Sequence, residues 1–160
     1  MSQLKLWVEG ARLRTLPLAL APVFLGSATA YSLDAFNLPL AVLALLVSLL
    51  LQIGVNYAND YSDGIRGTDA NRVGPLRLTG SGSAKPTAVK NAAFISFGLA
   101  ALAGLTIILI TSQWWLVALG LAAIIAAWFY TGGKNPYGYA GLGELAVFVF
   151  FGLVATVGTN

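Results

Sequence analysis

Between Asn56 and Asp69 the chain reads NYANDYSDGIRGTD, with three aspartates, Asp60, Asp63 and Asp69, and two asparagines, Asn56 and Asn59. The whole chain has six acidic residues, so half of them fall in this one stretch. On a helix that advances 100° per residue, Gln52, Asn56, Asn59, Asp60 and Asp63 share an arc of about 100°. Carboxylates crowded at the end of an apolar run repel one another and lose hydration, which is costly for a merely structural role. Hard divalent cations, Mg²⁺ above all, bind such oxygens and share their coordination with phosphate. A solvated helix end running into an Asp/Gly turn is the plainer account of these residues. Their confinement to one face favours the metal.

The setting follows from composition. The 160 residues are 58% hydrophobic and 9% charged, with mean hydropathy +0.78, which predicts an all-α, polytopic membrane helix bundle forming a single membrane domain over 1–160. With no Cys and no His, disulfide, thiolate, imidazole and ordinary zinc chemistry are excluded. A dispersed net charge of +3 gives no basis for nucleic-acid binding.

The elements that must position the aspartates can be read in order. Residues 1–14 carry Lys5, Glu9, Arg12 and Arg14 and read as an amphipathic lead-in on the membrane surface. Thr15–Leu33 is uncharged and about one span long, with Pro17 and Pro22 predicting a kink. Its Ala28-Thr29-Ala30 and basic flank resemble a cleavable leader, but the prolines and later spans favour a retained helix. A second span, from Leu38 to about Tyr57, delivers the aspartates to its far end, and a polar loop over 58–90 follows. Residues 91–133 carry no formal charge and read as a helical hairpin turning at Thr111-Ser112-Gln113. After a loop over 131–143, a fifth apolar run extends from near Leu145 to Asn160, short of a comfortable span. The expectation is four complete spans and a partial fifth. All nine Lys and Arg lie in the N-terminal segment or the two large loops, which places these regions in the cytoplasm.

Arg72, Arg77 or Lys134 beside the aspartates could neutralise what a metal leaves uncompensated on a diphosphate, although each alone is explained by topology. A diphosphate above an apolar cavity suits a prenyl diphosphate, and Tyr57, Tyr61, Trp128 and Tyr130 are candidates to face an allylic cation. The same polar helix end also suits a cation-transporting membrane subunit, which leaves the Arg-rich loop and Tyr130…Lys134 without a role.

Asn59-Asp60-Tyr61-Ser62-Asp63 resembles the first aspartate-rich motif, NDxxDxxxD, of the UbiA superfamily of intramembrane aromatic prenyltransferases, with Asp69 two positions later than the pattern. That spacing, Arg72-Val73-Gly74-Pro75-Leu76-Arg77 and Arg14-Thr15-Leu16-Pro17 resemble the menaquinone branch, and Tyr130-Thr131-Gly132-Gly133-Lys134 is similar to the YxxxK element. The resemblance implies a nine-helix fold in which Mg²⁺ and two aspartate motifs hold a polyprenyl diphosphate. It further implies prenylation of 1,4-dihydroxy-2-naphthoate with loss of its carboxylate, or of another aromatic acceptor. By the same resemblance Asp60, Asp63, Asp69 and Asn59 are metal ligands, and Asn56, Asn59, Arg72, Arg77 and Lys134 bind substrate. Asp60, Asp63, Tyr130 and Lys134 are the catalytic set. The second motif has no counterpart here, since no acidic residue follows Glu144. A complementary C-terminal half is therefore an expected partner, and this polypeptide alone is expected to be inactive.

Overall fold

In the computed structural model, residues 2–68 and 74–160 are described; Asp69 and Arg72 lie outside them. The described chain is helical: α1 (Gln3–Gly10), α2 (Pro17–Ser32), α3 (Leu38–Arg66), α4 (Pro86–Thr111), α5 (Leu116–Phe129), α6 (Gly143–Val147) and α7 (Ala155–Thr159). Two of these, α3 and α4, are long and apolar enough to cross a membrane, and the bent pair Gln3–Thr15 and Pro17–Ser32 makes a third. The remaining apolar runs are shorter: α5 has 14 residues, and Gly143–Thr159 includes a π-helical stretch at Phe148–Val154. The five apolar runs expected from the sequence are therefore present, but fewer than four have full spanning length.

Local sequence explains the breaks. The first span bends by 53° where it begins, at the Leu13–Thr15 turn. Arg12 adopts a left-handed φ of 55° there, and Pro17 opens α2. Pro22 is buried inside α2. Asn37 caps α3 by accepting the Leu40 N–H. The α4–α5 hairpin turns at Ser112, whose φ is 58°, next to exposed Trp114 and Trp115.

The largest departure from expectation is the length of α3. It continues nine residues past Tyr57, without interruption, to Arg66. Nothing in Ala58–Asp63 breaks a helix, and Gly67 ends it with φ of 73°. The N–H of Thr68 donates to the Asp63 carbonyl and that of Gly67 to the Gly64 carbonyl, a Schellman closure. At 1.5 Å per residue α3 is about 43 Å long, which leaves its last turns outside the apolar core.

Packing is closest between α3 and α4. A Cβ on Gly54 would meet the Phe97 ring at 2.4 Å, so the two helices approach through a glycine. The core around this contact joins Leu6, Tyr57, Leu78, Val89 and Phe97. Outward-facing Leu99, Leu102, Leu109, Leu121 and Ile125 are exposed, as residues that meet lipid must be.

Candidate functional site

One face of α3 carries Ser48, Gln52, Asn56, Asn59 and Asp63, spaced by three or four residues and all buried. Buried polar groups must find partners, and these find them on other elements. The Ser48 hydroxyl donates to the Ala19 carbonyl at 2.9 Å. Gln52 Nε2 donates to Thr15 Oγ1 at 3.0 Å. Asn56 Nδ2 donates to the Ala11 carbonyl at 2.9 Å and to Thr15 Oγ1 at 2.8 Å. Thr131 Oγ1 donates to Asn59 Oδ1 at 2.8 Å. This stripe therefore ties the α1–α2 bend and the loop after α5 to α3.

Beside the stripe lies a cavity of about 520 Å³, within the range of small-ligand sites. Its walls are mostly apolar and come from α2, α3, α4, α5 and the 143–159 segment, with Ser48, Gln52, Asn56, Asn59, Tyr130 and Tyr137 among its polar members.

Asp60 and Asp63 part company. Asp60 is fully buried, and its carboxylate accepts the main-chain N–H groups of Leu78 and Thr79, each at 2.8 Å. Expected as a metal ligand, it has both oxygens on the backbone of the first loop. Asp63 instead meets side chains. Arg77 Nη2 lies 3.4 Å from its Oδ2, and the Tyr139 hydroxyl donates to its Oδ1. Burial, then the hydrogen bond to Asp63, raises the Tyr139 phenol above its ordinary pKa.

Arg66, at the last turn of α3, reaches across to the second loop. Its guanidinium donates to the Thr131 and Gly133 carbonyls and lies 5.6 Å from the Tyr139 ring centroid. Sequence reasoning gave Arg66, Tyr137 and Tyr139 no role. The signal for Arg66 was available: six residues after Asp60 on an unbroken helix, it shares that end with the aspartates.

The other expected site residues disperse. Tyr130 lines the cavity in edge contact with Tyr137 at 5.5 Å, whereas Lys134 is exposed. Tyr57 is buried in the core, where its hydroxyl donates to the Trp7 carbonyl. Tyr61 and Trp128 stack on each other away from the cavity lining, with Lys90 over Tyr61. Of the four candidate aromatics, Tyr130 alone lines the cavity.

Among the described residues no group of three acidic side chains could hold a metal ion. Mg²⁺ does not require one, because it retains waters and binds through one or two carboxylates plus substrate phosphate. Asp63, with the Asn59 amide oxygen one turn below it, supplies hard oxygens that fit an ion shared with a phosphate.

The UbiA prenyltransferase family model matches residues 19–160. The chain is 58% identical over 160 residues to a protein of Mycobacterium tuberculosis named 1,4-dihydroxy-2-naphthoate octaprenyltransferase, covering 100% of this chain and 54% of the relative. Proteins of the same name from Haemophilus influenzae and Escherichia coli are 42% and 39% identical, over 98% and 99% of this chain and 54% of each relative. The chain thus spans about half the length of the curated relatives it matches. No solved structure matches it. A chain with an apolar cavity, a polar stripe and an aspartate-bearing helix end thus matches the family model over most of its length, and it belongs to the UbiA prenyltransferase family.

Proposed function

We propose that this chain contributes to Mg²⁺-dependent transfer of a polyprenyl group from its diphosphate to 1,4-dihydroxy-2-naphthoate, with loss of the ring carboxylate as CO₂. The supporting observation is the grading of one α3 face, from the apolar cavity through Gln52, Asn56 and Asn59 to Asp63 and Arg77. An isoprenoid diphosphate is graded in the same sense: hydrocarbon at one end, dense negative charge at the other. The names of the relatives supply the acceptor.

In this reading Asp63 and Asn59 hold Mg²⁺, and Asp69 joins them from outside the described residues. The ion, when bound, withdraws charge from the diphosphate leaving group. Arg77 faces the same anion, with Arg72 and Lys134 on the same side of the membrane as further cations. Asp60 acts one step removed: by gripping Leu78 and Thr79 it fixes the loop that carries Arg77. Tyr130 and Tyr137, on the cavity wall, offer ring faces to an allylic cation and help exclude water. A second acidic cluster comes from a complementary half. The protein sits in the cytoplasmic membrane with its N-terminus and both large loops on the cytoplasmic side.

Mg²⁺ titrations with and without a prenyl diphosphate analogue test the reading. The metal binds more tightly with the diphosphate present and loses that coupling in Asp63→Asn. Metal affinity indifferent to the diphosphate would identify a cation pathway and overturn it.

A further inference from the structure

The orientation of two amides in the polar stripe is fixed by their partners. The Ala11 carbonyl can only accept, so Asn56 must present its Nδ2 there. Thr15 Oγ1 donates its own proton to the Arg12 carbonyl at 2.9 Å, so it can only accept from Gln52 and Asn56. Both NH₂ groups therefore point towards Thr15. Gln52 Oε1 and Asn56 Oδ1 are left as acceptors without a hydrogen-bond partner among the described residues. The two residues are 5% and 2% exposed, and both line the cavity. An amide oxygen facing an apolar cavity costs stability unless a donor meets it.

We infer that Gln52 and Asn56 form the acceptor-ring subsite, in which their amide oxygens receive the hydroxyl protons of a dihydroxy-aromatic substrate. The two oxygens come from positions one helical turn apart, about 6 Å along α3. The para hydroxyls of a 1,4-dihydroxy ring are separated by a similar span, so each has its own acceptor. An apolar site with two fixed acceptors selects a ring that brings donors, because a ring without them leaves both oxygens unpaired. Accepting the hydroxyl proton also leaves more electron density on the phenolic oxygen and hence on the ring carbon that is alkylated. Thr15 is then a positioning residue: it touches no substrate and holds both amides in the productive orientation.

This inference rests on the prenyl-transfer reading, and the two can fail separately. The test uses residues 1–160 in lipid nanodiscs and measures equilibrium binding of 1,4-dihydroxy-2-naphthoate, kept reduced, and of 2-naphthoate, which lacks both hydroxyls. A separate arm measures farnesyl diphosphate with Mg²⁺. The wild-type chain prefers the dihydroxy ring by about tenfold, the product of two modest hydrogen bonds. Gln52→Met keeps the side-chain length, removes one acceptor and cuts the preference about threefold, leaving 2-naphthoate and farnesyl diphosphate affinities unchanged. Gln52→Glu, whose protonated acid donates to Thr15 and keeps a carbonyl oxygen, restores the preference. A preference undiminished in Gln52→Met, or equal loss of both naphthoates there with no rescue by Gln52→Glu, overturns the inference. Failure of farnesyl diphosphate to bind, with the hydroxyl preference intact, counts against prenyl transfer and not against the subsite.

Discussion

The two polar loops meet the end of α3 in opposite ways. The first loop is held through its own main chain: a carboxylate buried on α3, that of Asp60, accepts two consecutive amides at Leu78 and Thr79. Leu78 itself is fully buried against Gly10 and Tyr57. The second loop is held mainly by side chains: Thr131 donates to Asn59 inside the stripe, Arg66 donates to the loop's carbonyls, and the half-exposed Tyr139 reaches Asp63. One attachment is a main-chain grip locked by core packing, the other a set of side-chain contacts running from buried Thr131 out to exposed Arg66 and Tyr139. The contrast assigns different duties to two aspartates only three residues apart. Asp60 sets where the loop goes, and Asp63 is the carboxylate whose present partners a ligand can replace.

Substitutions that separate these duties test the contrast. The largest effect belongs to Asp60→Asn, which turns an NH₂ group towards one of two buried amides. Leaving that amide unpaired costs roughly 1–3 kcal/mol, and the variant should melt several degrees lower in detergent micelles. An unchanged melting temperature would mean that the first loop does not depend on Asp60. Asp63→Asn, by contrast, leaves the Leu78 and Thr79 amides paired and still accepts from Tyr139. It removes the charge facing buried Arg77, so it too should melt lower, but the 74–85 loop should resist proteolysis as in the wild type and be nicked faster only in Asp60→Asn. Asp63→Asn should also lose Mg²⁺-dependent diphosphate binding. If both variants were nicked alike in the 74–85 loop and bound alike, the two aspartates would not differ as described.

The helical bundle, the hairpin turning after Thr111 and the clustering of chemistry at one end of α3 were all legible in the sequence. Apolar run length and the scarcity of acids carry that information directly. The division between Asp60 and Asp63 was not legible. An arc of about 100° looks like one face on a helical wheel, yet it is wide enough to reach both a cavity wall and a neighbouring loop. What decides is where the amides of Leu78 and Thr79 arrive, 18 and 19 positions later. Helix periodicity is silent on that. The same gap misplaced the aromatics: Tyr57, Tyr61 and Trp128 have the right depth, and tertiary packing turns them away from the cavity. The extension of α3 to Arg66 was missed because a rise in polarity was read as the end of a helix. Only Gly67 ends it.

Smaller effects sharpen the account of the second loop. Arg66→Gln shortens the reach to the Thr131 and Gly133 carbonyls and should cost about 1 kcal/mol, below the usual range for charge-assisted hydrogen bonds because Arg66 is exposed. Limited proteolysis should then cut faster between 132 and 141 while the 74–85 loop stays resistant. Equal nicking of both loops would break the distinction. The smallest effect concerns pH. Burial, with a lesser contribution from Tyr130, raises the Tyr137 phenol above 10.0. Its hydroxyl donates to the Ala126 carbonyl at 2.8 Å. A raised phenol pKa means that the folded state retains the proton. The bond is therefore intact below the ordinary value of 10.0 and lost as pH rises through the higher folded value. Ultraviolet titration should show tyrosinate absorbance at this position appearing later than in Tyr137 of the unfolded chain. Coincident titration would place Tyr137 in water.

The grip of Asp60 on two main-chain amides has a consequence for how the first loop can vary. A carboxylate that reads N–H groups is blind to the side chains they belong to. At position 79 the anchor is indifferent to side-chain chemistry, and size is the limit, because Thr79 packs against Gly64. Proline is the exception, because it has no proton to give. The loop can therefore change its sequence over evolutionary time, and with it the groups it offers to an anion, while its attachment point stays where it is.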